Sequence, residues 1–186
     1  EALLVSVRRW HAPWAVRLMR AVTQLGDTKT WFLLGLTLLA VGSHQTYVLG
    51  LRLGLGAIFA TLLVQPLKRV CRRPRPSRGI TDFASLLEDP DAFSFPSGHT
   101  AAAFGVAIAL LGTGTLLAPL ALGLAGVIAL SRVYLGAHYP LDVAAGALLG
   151  CAPHRGRADL RRPRGGPMVG DMGSPKQRWP GGLVRV

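Results

Sequence analysis

Few residues of this chain carry a charge. Asp, Glu, Lys and Arg make up 16% of its 186 residues and hydrophobic residues make up 50%, whereas an average soluble domain has about 25% charged residues. The charges that are present lie in clusters and do not cover a surface evenly. This composition argues against a soluble domain and favours one membrane-embedded domain.

Cysteine is almost absent from the sequence. The chain has two, Cys71 and Cys151, and neither has a neighbour at the spacing of a metal-binding or redox motif. A disulfide framework and a thiolate metal site are therefore excluded, and we expect both thiols to be free.

A nucleic-acid-binding module is also missing, although the net charge is +12. Such a module needs a basic face with aromatic or groove-reading elements on a folded unit. Residues 154–186 hold eight Lys or Arg and two Asp, and so supply +6 of the charge. This tail is rich in Gly, Pro and Arg and is predicted to be disordered. We expect no nucleic-acid partner.

Residues 1–26 are predicted to form an N-terminal amphipathic helix in the membrane interface. Apolar residues recur at helical spacing, while arginines lie off that stripe. The stripe consists of Trp10, Trp14, Leu18, Ala21, Val22 and Leu25, and the arginines are Arg9, Arg17 and Arg20. An ordinary amphipathic helix on a soluble core is the alternative, which the apolar residues that follow disfavour.

Five apolar stretches follow, and they predict a membrane-embedded domain over residues 27–153. They cover about 30–43, 47–67, 100–112, 115–133 and 139–153. Only the second and fourth approach the ~20 residues that cross a bilayer, and Gly and Ala within the stretches permit close helix contact. The predicted fold class is an all-α transmembrane helical bundle of about five to six helices, with the interfacial helix before it.

Alternation of the stretches brings three polar segments to one membrane face. If the second stretch ends there, the third begins there, the fourth returns and the fifth leaves again. The segments are 68–78, 94–99 and 131–142. Cys71 falls on this face and Cys151 on the opposite one.

Each polar segment has an ordinary structural interpretation when it is considered alone. Six basic residues within 68–78 suit the positively charged flank of a transmembrane helix. Ser97 and Gly98 suit a plain helix start, although helix-start amides also favour an anion. His138 with Asp142 suits a structural histidine, although such a carboxylate also fixes the imidazole tautomer and leaves the other nitrogen free to attack.

The combination points to phosphoryl transfer through a covalent phosphohistidine. Two histidines, several cations and one carboxylate are expected at the same face. A divalent metal prefers several anionic or neutral ligands, whereas here Asp142 is the one carboxylate beside Lys68, Arg75 and Arg132. We therefore expect neither a metal nor another cofactor.

These residues also carry a resemblance to a known family. Lys68, six residues and Arg75-Pro76 form the first part, and Pro96-Ser97-Gly98-His99 the second. Ser131-Arg132, five residues, His138, three residues and Asp142 form the third. The three-part pattern resembles the type 2 phosphatidic acid phosphatase (PAP2) family of membrane lipid phosphatases.

The resemblance implies a role for each matching residue. His138 is similar to the family nucleophile, Asp142 to its orienting partner, and His99 to the general acid that protonates the leaving alkoxide. The implied phosphate-binding residues are Lys68, Arg75, Ser97, Gly98 and Arg132. Arg72, Arg73 and Arg78 lie outside the motif and are expected to contact lipid headgroups.

The implied activity is hydrolysis of a lipid phosphate or a polyprenyl (di)phosphate by an integral membrane enzyme. By resemblance, we expect the bacterial plasma membrane, with the site facing the periplasm or exterior. The acidic loop within 77–95 is expected to select the headgroup. The sequence leaves the individual lipid and the oligomeric state open.

The fifth stretch departs from the family, whose last helix continues well past the motif aspartate. It has about 15 apolar residues before the basic tail, which predicts a truncated final helix followed by an unrelated tail. A genuine basic tail that contacts anionic lipid is the alternative. Two other functions therefore stay open: a non-catalytic protein that binds anionic lipid, and an enzyme similar to the vanadium haloperoxidases, which share the three motifs.

Overall fold

The computed structural model describes residues 12–80, 84–87, 91–111 and 116–152. These residues form seven helices, and among them β-structure is limited to one isolated bridge between Pro74 and Phe93. The helices are α1 (Pro13–Gln24), α2 (Thr28–Val41), α3 (His44–Cys71), α4 (Pro76–Gly79), α5 (Gly98–Leu111), α6 (Leu117–Tyr134) and α7 (Pro140–Cys151). The predicted disordered tail lies outside the described residues.

The predicted all-α class is confirmed. The five apolar stretches correspond to α2, α3, α5, α6 and α7, and the N-terminal amphipathic segment corresponds to α1. The largest difference is at α3, which continues to Cys71 and carries Lys68 and Arg69 in its last turn. The hydropathy pattern does not include this last turn, because its cations are polar. The turn is nevertheless helical, since cations at a helix C-terminus interact favourably with the helix dipole.

Helix α5 lies at the centre of the bundle and packs against α3, α6 and α7. Its buried side chains are mostly small, so neighbouring backbones can approach closely. At the crossing with α3, a Cβ added to Gly105 would lie 2.9 Å from the carbonyl oxygen of Gly56. The small residues therefore set how closely these two helices pack.

Large apolar side chains cover much of the outer surface of the bundle. Examples are Phe32, Leu33, Leu36, Leu55, Leu62, Leu120, Leu130 and Leu148. Contiguous apolar surface of this kind is unusual for a soluble monomer. Helices α3 and α6 are long and apolar enough to cross a membrane, whereas α2, α5 and α7 are shorter apolar helices.

The three polar segments meet at one end of the bundle, as the alternation of helices predicts. The Ser97 amide donates to the Asp142 carbonyl at 2.9 Å, which joins the second segment to the third. The Ser94 amide donates to the Arg73 carbonyl at 2.9 Å, which joins the second segment to the first. This end of the bundle holds the candidate site.

Candidate active site

His138 lies in the tight connection between α6 and α7 and is 1% exposed. The backbone amides of Ala137 and His138 both donate to the Arg132 carbonyl, at 3.0 and 3.2 Å, which fixes this turn. The imidazole Nε2 lies 3.5 Å from Nη1 of Arg75. Because an arginine offers only donors, Nε2 presents its lone pair and the proton of the neutral ring belongs on Nδ1.

Asp142 faces the other side of the same imidazole and is fully buried. It lies in the first turn of α7, one helical turn after His138. Its Oδ2 accepts a 2.9 Å hydrogen bond from the Tyr139 amide and lies 3.7 Å from Nδ1 of His138. That separation is longer than a hydrogen bond, so the carboxylate lies beside Nδ1 without a hydrogen bond to it, and its role as the orienting partner stays a prediction.

Two predicted phosphate-binding cations, Lys68 and Arg75, are buried beside His138. The Lys68 ammonium pairs with the Asp91 carboxylate and lies 3.4 Å from the Phe93 carbonyl. Arg75 donates from Nη1 to the Ala137 carbonyl at 3.0 Å and from Nε to the Asp91 carbonyl at 2.6 Å. The segment around Asp91 thus contacts both cations.

Arg132, the third predicted cation, is completely buried in the last turn of α6. Its Nη1 donates to the Thr23 hydroxyl of α1 at 2.9 Å. Thr23 is itself only 2% exposed. The N-terminal helix therefore supplies a side chain that holds a predicted site residue.

Ser97, Gly98 and His99 lie at the start of α5. Ser97 is fully buried, and its hydroxyl accepts a 3.0 Å hydrogen bond from Thr100. Gly98 is the first residue of the helix, and His99 is half-buried in the same turn. The hydrogen bond from the Ser97 amide to Asp142 places this helix start directly beside the start of α7.

Burial and neighbouring charge keep the imidazole of His138 neutral. Burial is the largest influence, and together with the positive charges of Arg132, Arg75 and Lys68 it lowers the pKa of His138 to about 4, although the Asp142 carboxylate pulls it upward. A neutral imidazole has the lone pair that a nucleophile needs. The predicted nucleophile is therefore in its reactive protonation state at neutral pH.

Three residues at this end of the bundle were not predicted as site residues. Thr23 and Asp91 contact predicted phosphate-binding cations. Arg73, which was expected to contact lipid headgroups, donates from Nη1 to Asp142 Oδ1 at 2.7 Å, and the headgroup contact stays a prediction. In the sequence, the only indication that Arg73 belongs to the site is its position between the motif residues Lys68 and Arg75.

Comparison with known families identifies this arrangement. A family model described as the PAP2 superfamily matches residues 49–156. The chain belongs to the PAP2 superfamily. The matched region contains all three predicted motifs, so the resemblance found in the sequence is confirmed.

Several curated relatives of this PAP2 protein are named as phosphatases. The chain is similar to decaprenylphosphoryl-5-phosphoribose phosphatase of Mycolicibacterium smegmatis, with 33% identity over 148 residues, covering 78% of the chain and 80% of that protein. It is 41% identical over 97 residues to the protein of the same name from Mycobacterium tuberculosis. The latter match spans about half the length of each protein, 52% in both cases.

Two solved structures have the same fold, and the first of them is a transmembrane PAP2 type phosphatase. The phosphatidylglycerolphosphate phosphatase of Bacillus subtilis aligns with a TM-score of 0.69 at 29% identity, over 81% of this chain and 78% of that one. Aquifex aeolicus LpxE aligns with a TM-score of 0.67 at 30% identity, over 81% and 88%. Together with the apolar outer surface, these likenesses identify the chain as an integral membrane protein.

Proposed function

We propose that this PAP2 protein is a phosphatase that hydrolyses a lipid phosphate or polyprenyl (di)phosphate through a phosphohistidine on His138. The observation that carries the proposal is the buried imidazole with Nε2 toward Arg75 and Nδ1 toward Asp142. Few structural roles require a histidine to be buried, neutral and surrounded by cations. A nucleophile for a phosphate must be neutral in order to attack, and nearby cations stabilise the charge of the phosphoryl oxygens.

The reaction takes place in two displacements. Nε2 of His138 attacks phosphorus, the bond from phosphorus to the leaving oxygen breaks, and His99 gives its proton to that oxygen. The leaving oxygen belongs to an alcohol in a monophosphate and to the remaining phosphate in a diphosphate. Water then attacks the phosphohistidine while His99 accepts a proton from it, and the bond from Nε2 to phosphorus breaks. The products are the lipid with one phosphate fewer and inorganic phosphate, and His138 returns to its neutral form.

Lys68, Arg75 and Arg132 stabilise the negative charge on the phosphoryl oxygens. Their burial makes each charge more effective than it would be in water, and the arginines can bind two oxygens at once. The amide of Gly98 lies at a helix start, where an anion is favoured, whereas the Ser97 amide already donates to the Asp142 carbonyl and Ser97 contributes its hydroxyl. Because side chains supply the positive charge, we propose a reaction that needs no metal.

The first substrate to test is decaprenylphosphoryl-5-phosphoribose, because two curated relatives are named as phosphatases of this compound. Undecaprenyl diphosphate and lipid A 1-phosphate follow, since other relatives are named for these activities.

We further propose that the protein resides in the bacterial plasma membrane with its site facing the exterior. This orientation lets the enzyme act on lipids of the outer leaflet.

Phosphate release by purified protein in detergent, with EDTA present, tests the proposal. We expect release from at least one of these lipids, inhibition by vanadate, and an alkali-stable phosphoryl label on the enzyme. His138→Ala should abolish release and labelling. His44→Ala, at the exposed start of α3 far from the site, is the matched control and should retain both.

Full activity of His138→Ala would overturn the assignment of the nucleophile. Folded wild-type protein that binds phospholipid tightly but releases no phosphate from any lipid in the panel would instead support the non-catalytic alternative.

A further inference from the structure

Arg73 lies in the connection between α3 and α4, and its side chain reaches the start of α7. Nη1 donates to Asp142 Oδ1 at 2.7 Å, and the guanidinium carbon lies 4.2 Å from the centroid of the Tyr139 ring. The side chain is 36% exposed, whereas the carboxylate that it contacts is fully buried. Stacking on the ring and one strong hydrogen bond hold the guanidinium in place.

We propose that Arg73 is a positioning residue, which holds the Asp142 carboxylate so that its second oxygen faces Nδ1 of His138. The proposal rests on the proposed phosphatase function. The two oxygens have separate partners: Oδ1 accepts from Arg73, whereas Oδ2 accepts from the Tyr139 amide and faces the imidazole. With both oxygens held, the carboxylate cannot rotate away from His138.

Arg73 also balances the charge of Asp142. A buried carboxylate without a paired cation is costly, and its full charge would act on the adjacent imidazole. The charged groups around His138 are Asp142 on α7, Arg132 on α6, Lys68 on α3, and Arg75 in the same connection as Arg73. Removing Arg73 makes the Asp142 charge more available to His138, which favours the protonated and unreactive imidazolium.

A headgroup contact would have a different effect on the kinetics. An arginine that binds substrate before and during the reaction contributes uniform binding, so its loss raises KM and leaves kcat largely unchanged. An arginine that positions Asp142 acts on the chemical step. Its loss lowers kcat, changes KM little, and alters the pH dependence of the reaction.

Arg73→Gln separates these two roles. We expect kcat to fall by up to about 100-fold, as for other small misplacements near a reacting group, with KM within about threefold of wild type. The acidic limb of the plot of kcat/KM against pH should move to higher pH. Arg73→Lys, which keeps the charge and a donor, should restore part of kcat and return the limb toward its wild-type position.

Arg69→Gln is the matched control, because it removes one exposed positive charge from the same basic cluster. We expect wild-type kcat and an unshifted pH profile. Arg73→Gln with wild-type kcat and an unshifted profile would overturn the proposal. So would a rise in KM alone, which is the result expected for a headgroup contact.

A second measurement determines the pKa of His138 in the absence of substrate. In nitrogen-15 histidine NMR spectra of the detergent-solubilised protein, with the His138 signals assigned from His138→Gln, the pKa of His138 should be higher in Arg73→Gln than in wild type and unchanged in Arg69→Gln. If wild type releases no phosphate, the phosphatase proposal fails, yet this shift still supports the contact through Asp142. Equal titration in all three proteins overturns the positioning role, whatever the activity.

Discussion

At the scale of single residues, Asp91 contacts Lys68 and Arg75, two cations that are proposed to bind phosphate. Its carboxylate pairs with Lys68 and its carbonyl accepts from Arg75. Burial alone would raise the pKa of Asp91, but the hydrogen bond and charge of Lys68 outweigh it and lower that pKa below its ordinary value. The ionised carboxylate therefore competes with an incoming phosphate for Lys68.

Asp91→Asn should bind inorganic phosphate more tightly than wild type. A partly exposed ion pair is worth about 0.2–1 kcal/mol, so we expect the inhibition constant for phosphate to fall by about 1.4- to fivefold. Asp27→Asn is the matched control, since Asp27 caps α2 through a hydrogen bond from the Lys29 amide that an asparagine can also accept. Weaker inhibition of Asp91→Asn would show that Asp91 helps to hold Lys68 for the phosphate.

The low pKa of His138 predicts that acid destabilises the folded protein. The pKa is about 4 in the folded state against an ordinary value of 6.5, so the unfolded chain binds the proton more strongly. The stability from the neutral imidazole is fully present above about pH 6.5 and is lost as pH falls toward 4. Thermal unfolding in detergent should show a smaller drop in Tm between pH 7 and 4.5 for His138→Gln than for wild type.

His44→Gln is the control for that series, because His44 is exposed. It should keep the wild-type dependence of Tm on pH. If His138→Gln and wild type lose the same stability on acidification, other groups govern the acid response.

Motif spacing predicted eight site residues but not the contacts of Arg73, Asp91 and Thr23. A spacing pattern encodes positions within one segment, whereas Arg73 meets a carboxylate 69 residues away. Three arginines follow the end of α3 before α4 begins, and the sequence does not specify which of them turns inward. The left-handed backbone of Arg72, with φ of 43°, redirects the chain at this point.

At the scale of secondary-structure elements, α1 combines two roles. Trp14, Leu18 and Leu25 of its predicted apolar stripe are exposed, as befits a helix that faces lipid, and its position in the interface stays a prediction. The opposite side of α1 packs on α6 and brings Thr23 to Arg132. An amphipathic pattern reveals the apolar stripe but not this polar contact, because a single threonine carries no periodic signal.

Thr23→Val should lower kcat/KM. The change keeps the shape of the side chain but removes the acceptor of the Arg132 hydrogen bond. A hydrogen bond to a charged group is worth about 1.5–3 kcal/mol, so we expect a loss of about tenfold or more. Thr23→Ser should recover most of the activity.

Thr37→Val makes the same substitution on the exposed side of α2 and should keep wild-type kcat/KM. A wild-type value for Thr23→Val as well would show that Arg132 keeps its position without the Thr23 hydrogen bond.

The short final helix α7 is seated by close backbone contact with α5. It has only 12 residues, and this shortness is what leaves the non-catalytic alternative open. A Cβ added to Gly146 would lie 2.5 Å from the Ser97 carbonyl oxygen, and one added to Gly150 would lie 2.8 Å from Cβ of Phe104. Two glycines one turn apart thus let α7 pack directly on α5 and hold Asp142 at the site.

Gly150→Ala should therefore destabilise the protein and lower its activity together. Overpacking a tight contact costs about 1–3 kcal/mol, which outweighs the gain of about 1 kcal/mol in helix propensity. Gly126→Ala is the control, because a Cβ there meets nothing within 4 Å, and its Tm in detergent should equal or exceed that of wild type. A Tm for Gly150→Ala as high as that of Gly126→Ala would contradict the packing argument.

At the scale of the whole molecule, alternating apolar stretches were sufficient to predict which segments meet. Helix ends alternate between the two ends of a bundle, so the order of the stretches fixes the end to which each connection belongs. The shortness of α2, α5 and α7 could not be interpreted from hydropathy alone. For α5, packing supplies an explanation, since this helix is enclosed by α3, α6 and α7 and therefore faces little lipid.

The two cysteines lie at opposite ends of this bundle and can report its orientation. Cys71 is exposed at the end of α3 beside the site, and Cys151 is half-buried at the far end of α7. In bacterial cells, a small membrane-impermeant maleimide should label the Cys151→Ser protein through Cys71 without permeabilisation. It should label the Cys71→Ser protein only after permeabilisation. The reverse pattern would place the site in the cytoplasm, and labelling of both variants in intact cells would contradict the alternation of helices itself.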